Sequence, residues 1–191
     1  MASFLKKTAL ALLVFFSIVW LGRNWLFNNL FSYKTDSVIS AQLIENQSVV
    51  IKKPNVGEAD SLLRATLEET SEKLQFSFEK CANDPAEIAK TGRANCIGYA
   101  AFFKNILEKK LAAVGFLADF RIEHRRGRLY FLRTDIHRFS KSKFWKDHDF
   151  VAVRQLSTGA EWTVDPSLFD FLGLGFINNE TLLVVSGILS R

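Results

Sequence analysis

The stretch Gly92-Arg93-Ala94-Asn95-Cys96-Ile97-Gly98-Tyr99-Ala100-Ala101-Phe102-Phe103-Lys104-Asn105-Ile106-Leu107 decides how this chain folds. Tyr99, Phe103, Ile106 and Leu107 recur at helical spacing, and Lys and Glu gather towards Leu111, so a helix is expected to open at Cys96. At such a position the backbone N–H groups lack intrahelical acceptors, and the positive end of the dipole favours a thiolate. A cysteine alone is more often a small buried hydrophobe, so chemistry here requires partners from elsewhere in the chain.

Two partners are in reach. His148 opens the apolar, strand-like run His148-Asp149-Phe150-Val151-Ala152-Val153, and Asp165 closes Trp162-Thr163-Val164-Asp165-Pro166. A thiol needs a base to become a nucleophile, and the base needs a third group to fix its tautomer. The 52 positions from Cys96 to His148 leave room for the helix and a hairpin. The 17 from His148 to Asp165 fit two antiparallel strands joined by a turn at Ser157-Thr158-Gly159.

In these three patterns, over about Gly92 to Pro166, the chain resembles the transglutaminase-like superfamily of papain-like cysteine enzymes. The resemblance implies that Cys96 is the nucleophile, His148 the base and Asp165 the group that orients His148. It departs from the family at Asn95, where many relatives have a small residue, and at Asp149-Phe150, which replaces the usual Ala-Trp while keeping an aromatic. The backbone N–H of Cys96 suits an oxyanion donor, and Asn95 is a weak candidate for a second one, with helix capping as its competing role. Tyr99 and Trp162 are candidates for lining the site, though both are ordinary core residues and packing is the preferred reading of each. His124 and His137 read as surface or turn histidines.

The 191 residues fit one domain plus an extension, and 48% hydrophobic residues with 18 Phe can fill an ordinary core. Two cysteines are too few for a disulfide framework; Cys81 is read as an idle thiol, or as a redox cap on Cys96. No His/Cys group has metal-ligand spacing, and no cofactor is implied.

Residues 1–33 differ in composition. Lys6 and Lys7 precede an uncharged apolar run from Thr8 to Gly22, followed by Arg23, in the manner of an export signal. Asn24 to Phe27 could lengthen it towards a span, with Trp20 and Trp25 at interfacial depth, and no small-x-small cleavage site follows. An uncleaved single-pass signal anchor is therefore expected, with the N-terminus cytoplasmic and the catalytic domain on the periplasmic side; the alternative is secretion after cleavage.

Residues 34–58 read as a linker and irregular lead-in, with a short β-like patch at Ser48 to Lys52, and 59–191 as the transglutaminase-like domain. Within the domain, Ala59 to Phe78 reads as an amphipathic helix, and Asn83-Asp84-Pro85 begins a short second helix or a turn. Phe116 to His124 and Arg128 to Thr134 read as two strands joined by a turn at Arg125-Arg126-Gly127. Thr181 to Val185 is left as strand or helix. The expected class is α+β: a papain-like, transglutaminase-like core with the nucleophile at a helix N-terminus packed on an antiparallel sheet, preceded by one membrane helix.

Between Arg121 and Lys146 nine Lys or Arg stand against Glu123 and Asp135. This stretch suits an anionic surface such as lipid headgroups, or a solvated hairpin. The expected function is thioester formation at Cys96 and cleavage or transfer of an amide or acyl group, most simply by a peptidase or amidase, on a protein, peptide or cell-envelope substrate. The alternatives are a protein cross-linking acyltransferase and a non-catalytic peptide- or glycan-binding module. Nucleic acid is not an expected partner.

Overall fold

The computed structural model describes residues 2–41, 53–139 and 147–177. Helix α1 (Ala2–Leu21) and helix α2 (Arg23–Leu30) lead into strand β1 (Phe31–Ala41). Helix α3 (Val56–Lys73), strand β2 (Gln75–Phe76), helix α4 (Pro85–Thr91), strand β3 (Arg93–Ala94) and helix α5 (Cys96–Ala113) follow. The chain then forms β4 (Phe120–Phe131), β5 (Thr134–Asp135), β6 (His148–Gln155), β7 (Glu161–Val164) and helix α6 (Pro166–Leu172). The class is α+β, with an antiparallel sheet in the order β1-β4-β6-β7, β5 pairing β4, and helices packed against it.

Side-chain caps set the helix ends. Asn55 and Glu58 form a reciprocal capping box at α3, and Asp84 accepts from Ala86 and Glu87 N–H ahead of Pro85 at α4. Leu63 and Leu67 from α3, Phe103, Leu107 and Leu111 from α5, and Ile122, Val151, Val153 and Val164 from the sheet form the main core. Fully burying side chains of this kind contributes about 1.5–3 kcal/mol each before entropy is counted. A second cluster joins Phe27 of α2, Tyr33 of β1, Leu129, Phe150 and Leu168 of α6, so the segment after α1 is part of the fold.

Four expectations change. The lead-in begins as structure, because Phe31–Ala41 is a strand in which Phe31 pairs with Phe131 and Thr35 with Gly127. No turn interrupts Arg125-Arg126-Gly127; β4 runs through it, paired with β1 on one side and β6 on the other. Gly127 serves close approach instead, since a Cβ there would stand 2.4 Å from the Lys34 carbonyl oxygen. The helix expected from Ala59 to Phe78 begins earlier and ends at Lys73, because Gln75 and Phe76 pair with Arg93 and Ala94. Helix α6 was not anticipated. The patches at Ser48 to Lys52 and Thr181 to Val185 lie outside the described residues.

The single N-terminal membrane helix also takes another form. Among the described residues no single helix is long and apolar enough to cross a membrane; Lys6–Leu21 and Arg23–Leu30 meet the criterion only together, across a bend of 67°. The bend follows from docking: Arg23 Nε donates to the Leu172 carbonyl at 2.7 Å, and Asn28 Nδ2 donates to the Phe176 carbonyl at 3.0 Å. These bonds hold α2 on the domain, while most apolar side chains of α1 stay exposed.

Candidate functional site

The nucleophile candidate is placed by a small parallel pair and a tight helix start. Gln75 N–H donates to the Gly92 carbonyl and Ser77 N–H to the Ala94 carbonyl, fixing the chain just ahead of Cys96. Asn95 caps α5, its side-chain oxygen accepting from Gly98 N–H at 3.2 Å. Gly98 lets this first turn lie against the preceding segment, because a Cβ there would stand 2.8 Å from Ala94 Cβ. Cys96 is thus the first helical residue, where N–H groups have no intrahelical acceptor. Its thiol is free and partly exposed, as is that of Cys81.

His148 is the first residue of β6 and Asp165 follows the last residue of β7, so neighbouring strand ends bring them together. Nε2 of His148 lies 2.5 Å from Oδ2 of Asp165, and both side chains are buried. The Cys96 side chain is close enough to act on the same ring, and with Nε2 turned to Asp165 the free side of the ring is Nδ1. Burial by itself would depress the imidazole. The charge and hydrogen bond of Asp165, with a smaller contribution from Cys96, outweigh it and raise His148 to about 10. Burial likewise pushes Asp165 up, but His148, Tyr33 and the N–H of Leu168 leave its carboxyl below the ordinary carboxylate value.

Asp165 has a second task. Its Oδ1 accepts from the N–H groups of Ser167 and Leu168 and from Ser167 Oγ, so it is the N-cap of α6 as well as the partner of His148. Pro166 at the first helical position is preorganised for this turn. The carboxylate is therefore held by its own helix in one rotamer.

Tyr33 was not anticipated. It is fully buried, its hydroxyl donates to Oδ2 of Asp165 at 2.5 Å, and its ring lies parallel to that of His148 with 5.7 Å between centroids. Burial and the adjacent carboxylate push its phenol well above the ordinary value, so it stays a donor. The alternation of Phe31, Tyr33 and Thr35 with Ser32 and Lys34 was the available signal for a half-buried strand.

The weaker candidates separate. Asn95 sits beside Cys96 with its oxygen committed to the cap, so any part in an oxyanion hole falls to Nδ2. Tyr99 is buried against Leu74, Ile88 and Phe102 and donates to Oδ2 of Asp170 at 2.8 Å, tying α5 to α6. Trp162 belongs to the main core. His124 is not on the surface: it is buried, with Nε2 2.8 Å from Oδ1 of Asp149, while Arg126 Nε lies 3.7 Å from the other oxygen. Asp149, next to His148 in sequence, thus serves a buried pair. His137 is half-buried, with its N–H on the Asp135 side chain.

The basic stretch is largely spent within the fold. Arg121 and Arg125 pair with Glu123, and Arg128 with Asp36 and Asp135. Lys141, Lys143 and Lys146 lie outside the described residues.

No family model matches the chain, and no curated protein or solved structure matches it.

Proposed function

We propose that this chain is a membrane-anchored cysteine enzyme of the transglutaminase-like, papain-like kind, cleaving or transferring an amide or acyl group on the extracytoplasmic side of a membrane. One observation carries the reading. A buried imidazole at a strand start is hydrogen-bonded to a buried carboxylate at a strand end, and a partly exposed cysteine at a helix start is near enough to act on the same ring, the three coming from separated segments.

The chemistry follows from where the proton resides. In this reading the thiol proton of Cys96 passes to the ring, which the Asp165 carboxylate favours in its protonated form, and Nε2–H donates to Asp165. The sulfur attacks the acyl carbon, the carbonyl oxygen gains charge opposite the N–H of Cys96, and the leaving amine takes its proton from Nδ1. A thioester remains on Cys96. Water or an acceptor amine then attacks it, giving its proton to Nδ1, and the sulfur leaves as thiolate, which restores the starting pair with the protonated ring. Asp165 keeps its charge throughout and holds the ring in line.

Labelling of intact cells with a membrane-impermeant, cysteine-directed acylating probe tests this reading. The wild-type chain should be labelled at Cys96 and the Cys96→Ala chain should not. Labelling that ignores this substitution, or that appears only after lysis, contradicts it.

A further inference from the structure

A cation stands where the N-terminal helices meet the domain. Arg23 donates through Nε to the Leu172 carbonyl and through Nη1 to the Trp20 carbonyl, and its guanidinium lies 4.6 Å from the centre of the Trp20 ring. Gly173, at φ +64°, leaves it room, since a Cβ there would stand 2.7 Å from Nη2. Among the described residues its partners are thus neutral carbonyls and an aromatic face, with no carboxylate to offset its charge.

The same arginine lines a groove of about 860 Å³ between α1 and the end of α6, whose walls are Leu13, Phe16, Trp20, Leu21, Leu172 and Leu174, with Ser17 and Val19. Arg23 is the one charged residue of that lining among the described residues. Of these walls, Trp20 is 60% exposed and Leu172 42%. A soluble anion gains nothing from apolar walls, and an apolar peptide gains nothing from a bare guanidinium. An amphiphile with a negative head and a hydrocarbon tail uses both.

We propose that this groove seats an anionic phospholipid of the bilayer that holds α1, its phosphate on Arg23 and an acyl chain along Leu13, Phe16 and Leu172. The proposal rests on reading α1 as a membrane helix. Trp20, a wall of the groove at the end of α1, suits the headgroup depth this requires. It moves the lipid contact from the Arg121–Lys146 stretch, whose described arginines mostly face carboxylates, to a site that lacks one. It also bears on the substrate. Leu172 ends the seven-residue helix that Asp165 caps, so the orienting carboxylate stands about 10 Å from the groove wall, at 1.5 Å rise per residue. A lipid seated there holds the triad near the headgroups and favours amide or acyl bonds borne at the membrane surface.

The test uses the full chain. Flotation with neutral phosphatidylcholine vesicles asks first whether α1 holds the protein on a bilayer; failure to float removes the membrane reading and this inference with it. For the floating protein, native mass spectrometry from bilayer discs of equal phosphatidylglycerol and phosphatidylcholine should show about fivefold preferential retention of phosphatidylglycerol. Arg23→Lys should keep most of that preference, Arg23→Gln should abolish it, and Cys96→Ala should leave it unchanged because no turnover is involved. If Arg23→Gln fails to fold, Leu172→Gln serves instead and should lower total lipid retention. Equal retention of the two lipids by the wild-type chain, or an undiminished preference in folded Arg23→Gln, overturns the proposal.

Discussion

Tyr33 and His148 meet on a single oxygen: the phenol of one donates to Oδ2 of Asp165, the same atom that faces Nε2 of the other, while their rings lie parallel within 2°. A strand from the start of the chain thus braces an imidazole and a carboxylate from its second half. Tyr33→Phe keeps the stack and removes one hydrogen bond to a charged group. It should lower turnover about tenfold and stability by about 1–2 kcal/mol, measured by probe acylation rate and by urea unfolding. Tyr33→Ala also opens a cavity and should cost about 3–5 kcal/mol.

The two oxygens of Asp165 do different work, and substitutions separate them. Asp165→Asn keeps the size and one capping oxygen but cannot stabilise an imidazolium; acylation should fall by about 10⁴-fold while the fold persists. Asp165→Ala loses the α6 cap as well, a further cost of about 1 kcal/mol that thermal unfolding should resolve. Equal activity in the two variants and in the wild type would falsify the role given to Oδ2.

Stability should depend on pH in two windows. His148 is raised in the fold from an ordinary 6.5 to about 10, so its contribution is fully present below pH 6.5 and is lost as pH rises through about 10. Asp165 is lowered from an ordinary 3.8, so its contribution is present above that value and is lost as pH falls through its depressed value. Urea midpoints measured from pH 3 to 11 should fall at both ends, and His148→Gln should flatten the alkaline fall.

Gly127→Ala probes the link between β1 and the site. The added Cβ would stand 2.4 Å from the Lys34 oxygen and 3.0 Å from Phe150 Cε1, so β1 has to shift and Tyr33 with it. A loss of about 1–3 kcal/mol is expected, with slower acylation at Cys96. Unchanged unfolding midpoints together with an unchanged rate would contradict the placement of β1.

The parts of the site that were legible in the sequence are those whose signal is local. The period of Tyr99, Phe103 and Leu107 shows the helix that Cys96 opens, and the apolar run after His148 shows its strand. Asp165 shows through its place before a proline at a strand end. Strand β1 and Tyr33 were not read because their meaning depends on β4, about ninety positions away, and register of that kind leaves little trace in one strand. Gly127 was taken for a turn because a glycine between charged residues carries the same local signal whether it bends the chain or admits a neighbouring backbone. His124 looked exposed because its partner, Asp149, is reached only through the pairing of β4 with β6.

Alkylation of the folded protein by iodoacetamide at pH 6, with Cys81 as the internal reference and modification at each cysteine counted by mass spectrometry, tests the central claim most directly. A sulfur whose proton has moved to His148 should react at least about a hundredfold faster at Cys96 than at Cys81, and His148→Ala should erase the difference. Equal, slow modification of both cysteines in the wild-type protein would contradict the account.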